Sequence, residues 1–213
     1  MKPSKPKSNL DKWLALKKKG QQAAKPRGIS QRPQDSKVPL THGQQRLWLL
    51  QQLYPKSPFY NYAHLYRLRG KLDQDVLHQS LVTTAKRHQM VSTAFQQEDN
   101  GQTVQFLQTK RELPYEYLDW SELDHEVQTQ QLSTVDEAQR QHLFDLEQDA
   151  LIRATLIRLG TEEHLLVLLL HHIIGDRSSL GIFNRELAAY YRAKVQGEAT
   201  DQTNLKLEYA DYA

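Results

Sequence analysis

Two adjacent histidines at the end of an apolar run are the residues of this sequence best suited to carry out chemistry. His171 and His172 directly follow the apolar run 165–170, and Asp176 and Ser179 come shortly after them. An uninterrupted apolar run of this length predicts a strand that is buried on both faces. Histidines at the edge of a core are costly to charge, so burial favours the neutral, proton-accepting imidazole. The motif therefore suggests acid/base chemistry, with His172 or His171 as the base and Asp176 orienting its ring.

The nine residues 171–179 leave other interpretations open. A pair of hydrogen-bonded core histidines explains them as well as catalysis does. A metal site is disfavoured, because adjacent strand residues point to opposite faces and the sequence has no cysteine to supply a thiolate. A serine hydrolase that uses Ser178 or Ser179 is also disfavoured, because neither serine lies in a Gly-x-Ser-x-Gly turn.

The elements that must position this motif form a mixed pattern of helices and strands. Helices are predicted at 42–53, after a capping Asp73, at 123–141 and at 178–195. Strands are predicted at 63–69, 90–97, 103–108, 115–119, 154–159 and 164–173, with hairpin turns at 99–101 and 160–163. The pattern indicates an α+β domain, a largely antiparallel sheet with helices packed on it.

Composition separates a basic tail from the body of the chain. Residues 1–36 carry ten Lys/Arg and two acids, a balance of +8, which leaves −5 for residues 37–213 of the 213-residue chain. We therefore expect a tail and linker over 1–37, with a short helix ending at Lys19, and one folded domain over 38–213. The tail has a single aromatic residue, Trp13, so nucleic-acid binding is disfavoured. No membrane-length apolar run and no signal-peptide core are present, and with no cysteine the expected location is the cytoplasm.

Four stretches, spread over residues 38–213, resemble the motifs of the condensation domains of nonribosomal peptide synthetases. Residues 171–176 resemble the family's active-site motif His-His-x-x-x-Asp. Residues 41–48 resemble its opening Ser-x-Ala-Gln-x-Arg-Leu-Trp helix, and residues 87–95 resemble Arg-His-Glu-x-Leu-Arg-Thr-x-Phe. The end of the chain, 207–213, resembles Tyr-Ala-Asp-Tyr/Phe-Ala. One such motif would be weak, whereas four in the family's order and spacing are specific.

The resemblance implies a fold and an activity. The fold would be the amino-terminal lobe of a chloramphenicol acetyltransferase-like domain, and the reaction would join an acyl donor and an amine acceptor, both bound to carrier proteins, into an amide. The resemblance makes His172 the catalytic residue, and His171, Asp176, Arg177 and Ser179 structural members of the active site. It implies no directly bound cofactor and no metal, because the phosphopantetheine arms belong to the carrier proteins.

Two departures from the family pattern affect this site. Arg177 replaces the glycine that follows the aspartate, and a glycine there permits a positive φ that arginine adopts poorly. Ser92 replaces the arginine that pairs with the aspartate in the family. A buried carboxylate without a counter-charge is costly, so we expect Asp176 to pair with Arg177, Arg46 or Arg87 instead.

The functional interpretation retains alternatives. Without the family's second lobe, the chain is expected not to complete the reaction alone, so whether it acts as an enzyme by itself stays open. It is alternatively a carrier-protein docking module or an inactive remnant, or a standalone acyltransferase that uses an acyl thioester. The expected partners are carrier proteins, a second condensation lobe and, through the basic tail, an upstream synthetase.

Overall fold

The computed structural model describes residues 28–33, 36–199 and 205–213. Within these ranges the chain forms four α-helices: α1 His42–Leu53, α2 Gln74–Arg87, α3 His125–Arg140 and α4 Arg177–Gln196. The strands are β1 Val38–Pro39, β2 Asn61–Arg69, β3 Thr93–Gln97, β4 Thr103–Leu107, β5 Tyr115–Asp119, β6 Ile152–Gly160 and β7 Glu163–His171. Two short 3-10 helices, Gln89–Ser92 and Tyr209–Asp211, complete the elements.

The strands form two sheets. The larger sheet has the order β2-β7-β6-β5, and the smaller one has the order β1-β4-β3. Neighbouring strands are antiparallel except for β5 and β6, which are parallel. The predicted α+β class and its mostly antiparallel sheet are therefore confirmed.

Strand β7 lies at the centre of the core and is buried on both faces. Leu166, Leu168 and Leu170 share one cluster with Leu81 of α2 and Phe183 of α4. The opposite face of the strand, together with Ile157 of the neighbouring β6, packs toward α3 in a cluster that includes Leu165, Val167, Trp120 and Leu132. Apolar residues at consecutive positions of one strand are explained by this double burial. The two histidines that follow consequently leave β7 toward different surroundings.

Local capping explains where the helices around the site begin. The Thr41 hydroxyl accepts a hydrogen bond from the Gln44 backbone N–H, and the Gln44 side chain accepts one from the Thr41 N–H, which is a complete capping box at the start of α1. Asp73 caps α2 as predicted, by accepting from the Val76 N–H. These caps fix the first turns of α1, which lines the cavity described below, and of α2, which packs on the sheet beside α4.

Two predicted strand boundaries were wrong. Residues 90–92 are part of a 3-10 helix, and strand β3 begins only at Thr93, whose hydroxyl donates to the Gln89 carbonyl. Strand β7 ends at His171 rather than Ile173, because the chain turns there and the Ile174 N–H donates to the His171 carbonyl. Both errors arose because apolar residues that continue a strand pattern are buried here within turns.

The amino-terminal boundary at residue 37 stays a prediction over most of the tail. The helix predicted to end at Lys19 lies outside the described residues. The compact unit that contains every element above runs from Gln31 to Ala213. Inside it, Arg32 contacts Gln89 and Asp211, and Lys37 pairs with Glu98. In the described part of the chain, no helix is long and apolar enough to cross a membrane.

Candidate active site

His172 stands where the chain leaves β7, on the face of the sheet covered by α2 and α4. Its side chain is exposed and lines a cavity of about 450 Å³. Its Nδ1 lies 2.7 Å from the Gly175 carbonyl oxygen. A carbonyl oxygen only accepts hydrogen bonds, so Nδ1 carries the proton and Nε2 of the neutral ring keeps its lone pair. The turn that ends the strand thus holds His172 in the tautomer whose Nε2 accepts a proton.

The ring of Tyr62 on β2 supports this imidazole from one side. The two rings are stacked, with centroids 6.1 Å apart and planes 15° from parallel. Offset stacking at this separation is a favourable arrangement of aromatic rings. His172 is thereby oriented by a backbone carbonyl and a neighbouring ring, whereas the orienting role predicted for Asp176 is wrong.

His171 points to the opposite face, as strand parity requires, and only 2% of it is exposed. The Ile173 N–H donates to its Nδ1 at 3.1 Å, and the rings of Tyr60 and Phe144 meet it edge-on. Burial first, and the nearby His172 second, lower the pKa of His171 to about 4. His171 is therefore a neutral packing residue near physiological pH, and of the two histidines only His172 reaches the cavity.

Asp176 begins α4 as its N-cap. Its Oδ1 accepts from the Ser179 N–H at 2.8 Å and from the Ser179 hydroxyl at 2.9 Å, while the Asp176 N–H donates back to that hydroxyl. These bonds, led by the Ser179 backbone N–H, lower the pKa of Asp176. Ser179 therefore completes the cap of α4, which fixes the loop below His172.

The ion pair expected for Asp176 is wrong. None of the ion pairs between described residues includes Asp176, and Arg87 pairs with Glu186 instead. The expectation assumed a buried carboxylate, whereas Asp176 is exposed and is satisfied by its hydrogen bonds. Arg177 causes no backbone strain, because it is the first residue of α4 and no described non-glycine residue has a positive φ. The concern that arginine cannot occupy this position is thus removed.

The wall of the cavity is mostly apolar, with polar groups from three parts of the chain. Apolar side chains come from α1, the 3-10 helix 89–92, the sheet and α4, namely Leu47, Met90, Val91, Ile152, Leu170, Leu180, Ile182 and Phe183. Besides His172, the titratable residues that line the cavity are His88, Asp176, Glu208 and Tyr209. A mostly apolar cleft with a few placed polar groups is typical of a small-molecule site.

His88 and Glu208 were not predicted as site residues. Both lie in the stretches that resemble the family motifs, which was a usable signal, but neither is part of the His-His-x-x-x-Asp pattern. His88 Nε2 lies 2.8 Å from Glu186 Oε2 on α4. Burial above all raises the pKa of Glu208 to about 7. Titratable residues from distant positions in the sequence, among them His88, His172 and Glu208, therefore line one cavity.

Metal binding has no support in the described residues. No group of three histidine or acidic side chains gathers there in a way that could hold an ion. The donors at the cavity are instead hydrogen-bonded to protein partners, such as His172 to Gly175 and His88 to Glu186.

Comparison with known proteins gives one consistent family. The family described as "Condensation domain" matches residues 34–213. A linear gramicidin synthase of Brevibacillus parabrevis is 37% identical over 197 residues, which cover 91% of this chain and 2% of that protein. The chain thus spans a small part of the length of this relative.

Two solved structures show the same similarity in three dimensions. The first condensation domain of the calcium-dependent antibiotic synthetase, solved with a substrate analogue, has a TM-score of 0.70 and 27% identity. The alignment covers 77% of this chain and 39% of that one. The X-domain from teicoplanin biosynthesis, solved in complex with OxyB, has a TM-score of 0.69 and 29% identity over 86% of this chain and 39% of that one.

Proposed function

The chain belongs to the condensation-domain family of nonribosomal peptide synthetases, and on that premise we propose that it supplies the His172-bearing lobe for amide-bond formation. In this proposal an acyl or peptidyl donor and an aminoacyl acceptor, each held as a thioester on a carrier protein, react beside the cavity. The single observation that carries the proposal is the tautomer of His172. Its Nδ1–H donates to the Gly175 carbonyl, so Nε2 is available as a proton acceptor at the cavity wall.

The chemical step needs little more than this acceptor and correct positioning. The acceptor nitrogen attacks the donor carbonyl carbon, a C–N bond forms, and the C–S bond breaks. His172 Nε2 takes the proton that the nitrogen loses and returns it to the departing thiolate, which leaves as a thiol. A positioned base contributes roughly 10²–10⁴-fold to such a step, and holding two reactants in contact contributes roughly 7–11 kcal/mol.

The partners follow from this proposal. Carrier proteins would bring both thioesters on their phosphopantetheine arms, so the lobe itself needs no bound cofactor. The chain spans 39% of the solved condensation domain it matches, and we propose that a second lobe provides the other wall of the reaction channel. The excess positive charge of residues 1–36 would suit docking to an acidic segment of an upstream synthetase.

The test is an amide-formation assay with purified proteins. The chain is mixed with loaded donor and acceptor carrier proteins, with and without a second-lobe polypeptide, and the amide is quantified by mass spectrometry. Amide is expected only when the second lobe is present, and His172→Ala should lower its rate at least about 100-fold. His125→Ala, an exposed histidine at the start of α3, is the matched control and should leave the rate unchanged. Amide from the chain alone would contradict the requirement for a second lobe, and a fully active His172→Ala would contradict the base.

A second candidate function is recruitment of another protein without chemistry. It is favoured by the similarity to the X-domain, which was solved in complex with OxyB, and by the departure from the family pattern at Ser92. The same assay separates the two functions. Absence of amide with the second lobe present, together with retained binding of a carrier protein, would favour recruitment.

A further inference from the structure

A second part of the cavity wall, besides the histidine turn, is formed by Leu205, Leu207, Glu208 and Tyr209 of the carboxy-terminal segment 205–213. The Gln89 backbone N–H donates to Glu208 Oε2 at 3.3 Å. The Glu208 N–H in turn donates to Asp211 Oδ2 at 2.7 Å, in the capping box of the short 3-10 helix. The carboxyl group is therefore held in place by backbone contacts while it lines the cavity.

The cations nearest to Glu208 are engaged with other carboxylates. Arg32 contacts Asp211, with its Nε 3.7 Å from Oδ1 and its backbone N–H 3.0 Å from the same atom. Arg87 Nε lies 3.3 Å from Glu186 Oε1. Among the ion pairs of the described residues, none includes Glu208. Glu208 is thus a carboxyl group at the cavity wall that forms no ion pair among the described residues, although the charges of Arg32 and Arg87 act on it.

The electrostatic surroundings agree with this geometry. Burial first raises the pKa of Glu208 to about 7, and the neighbouring Asp211 raises it as well, while the Gln89 N–H, Arg32 and Arg87 act in the opposite direction. An arriving cation would favour the charged carboxylate and lower this pKa. The carboxyl group is therefore poised to ionise when a positive ligand group enters.

We propose that Glu208 is a specificity-determining residue of the cavity and binds an ammonium group carried by the aminoacyl substrate. The inference rests on the proposed function, since it assumes that an aminoacyl thioester occupies this cavity. An anionic ligand group would be repelled by the negative charge of the Glu208 carboxylate. A wholly apolar group would displace water from the half-buried carboxyl group and add no charged partner to its backbone hydrogen bonds, which is less favourable than pairing it.

An aminoacyl substrate can carry a primary ammonium group at two positions. It is either the α-ammonium next to the thioester carbonyl or an ammonium at the end of a side chain. Two pairs of isosteric probes distinguish them, each probe being an amide of aminopantetheine. The glycyl and propionyl probes differ in an α-ammonium, and the 5-aminopentanoyl and hexanoyl probes differ in a terminal ammonium.

The experiment measures the Kd of all four probes by calorimetry for the wild-type chain, Glu208→Gln and Glu198→Gln. Glu198 is an exposed carboxylate beyond the end of α4, so its variant is the matched control. In the wild type and the control, the ammonium member of one pair should bind about tenfold more tightly than its isostere. Glu208→Gln, which keeps an oxygen for the Gln89 N–H, should abolish that preference. The pair that shows it identifies the source of the ammonium.

Proton linkage gives a second readout. Because the pKa of Glu208 is raised to about 7, binding of the ammonium probe near neutral pH should release protons in the wild type and fewer in Glu208→Gln. The other titratable or charged groups that face this region are His88, His172, Asp176, Tyr209, Asp211, Arg32 and Arg87, and they are present in both proteins. Subtracting the variant therefore isolates the contribution of Glu208.

Several outcomes would overturn the inference. Equal affinity within both pairs for the wild type would do so even if Glu208→Gln failed to fold. A preference that persists in a folded Glu208→Gln, or the failure of all four probes to bind, would do so as well. If these occur while His172-dependent amide still forms, only this inference fails. An ammonium preference without any amide would instead contradict the proposed function and leave the recognition by Glu208 standing.

Discussion

The two walls of the cavity are built in opposite ways. At the histidine turn, residues 171–179, the contacts that fix the site join close neighbours: His172 to Gly175, and Asp176 to Ser179. At the carboxy-terminal segment 205–213, the contacts join residues far apart in the sequence. Glu208 meets Gln89, and Asp211 meets Arg32. The hydrogen bonds of the first wall are therefore local, although Tyr62 on β2 also stacks on His172, whereas the second wall adds long-range hydrogen bonds to its local Glu208–Asp211 cap.

The two walls also shift the pKa of a carboxyl group in opposite directions. Asp176 is exposed at a helix start and receives hydrogen bonds from Ser179, so its pKa is lowered. Glu208 lies in the wall of an apolar cavity, and burial raises its pKa to about 7. Local backbone donors stabilise charge at the turn, while desolvation opposes charge at the other wall. A carboxyl group is therefore suited to cap a helix or to bind a ligand according to its surroundings.

The largest effect is expected when the long-range wall is broken at Asp211. Only 3% of this side chain is exposed, and it accepts hydrogen bonds from the backbone N–H groups of Arg32 and Glu208. Asp211→Ala removes the acceptor of both N–H groups and the carboxylate beside the Arg32 guanidinium, and we expect a loss of about 3–5 kcal/mol in the free energy of unfolding. Urea denaturation measures it. Lys37→Ala, which removes the half-exposed pair with Glu98, is the control and should cost less than about 1 kcal/mol.

Truncation of the amino terminus tests the contact between Arg32 and Asp211 of the carboxy-terminal segment. Removal of residues 1–30 should leave the free energy of unfolding nearly unchanged, because the compact unit begins at Gln31. Removal of residues 1–37 also removes Arg32 and should reproduce part of the Asp211→Ala loss. Equal stability of the two truncated chains would contradict the role given to Arg32 and would support the boundary at residue 37 that the sequence predicts.

A smaller effect is expected from acid at the histidine turn. The pKa of His171 is about 4 in the folded chain, against about 6.5 when unfolded, so below pH 6.5 the unfolded chain takes up the proton first. Stability that is fully present above pH 6.5 should therefore be lost by about 3 kcal/mol as the pH falls to 4. Denaturation curves from pH 4 to 8, for the wild type and His171→Gln, measure it. His171→Gln should lack this loss.

The pH dependence of stability expected from Glu208 has the opposite sign to that expected from His171. Its folded pKa is raised, so the folded chain holds a proton that the unfolded chain releases, and stability decreases as the pH rises toward 7. Glu208→Gln should remove this decrease while it leaves the acid loss of His171 in place. If His171→Gln and Glu208→Gln changed the free energy of unfolding over the same pH range and in the same direction, the proposed electrostatic difference between the two walls would be refuted.

The sequence predicts the two walls unequally for the same physical reason. The Asp73 cap and the β6–β7 hairpin depend on residues within a few positions of one another, and both were predicted. The turn at His172 is equally local, but the strand was expected to continue to Ile173. The parallel pairing of β5 with β6 and the meeting of Glu208 with Gln89 depend on the whole fold. The placement of Asp176 was wrong because burial was inferred from its apolar neighbours, although its own side chain is exposed.

The smallest effect is expected at Asp176, and it discriminates between a cap and an ion pair. If Asp176 only caps α4, Asp176→Ala should cost about 1 kcal/mol in the free energy of unfolding, as should the same change at Asp73, the matched cap of α2. If it were instead one half of a buried ion pair, the cost would rise to about 3–5 kcal/mol, and removal of the arginine would cost as much. Arg177→Ala is expected to change stability by less than about 0.5 kcal/mol, because its side chain lies exposed at the first helical position.

The pH dependence of the contribution of Asp176 supplies an independent check. Since the folded pKa of Asp176 is lowered, its contribution is present above the unfolded pKa of about 4 and is lost as the pH falls through the folded pKa. Urea denaturation at pH 7 and at pH 3 should therefore show the difference between the wild type and Asp176→Ala shrinking in acid, and a difference that stays constant would mean that the charge of Asp176 takes no part in capping α4.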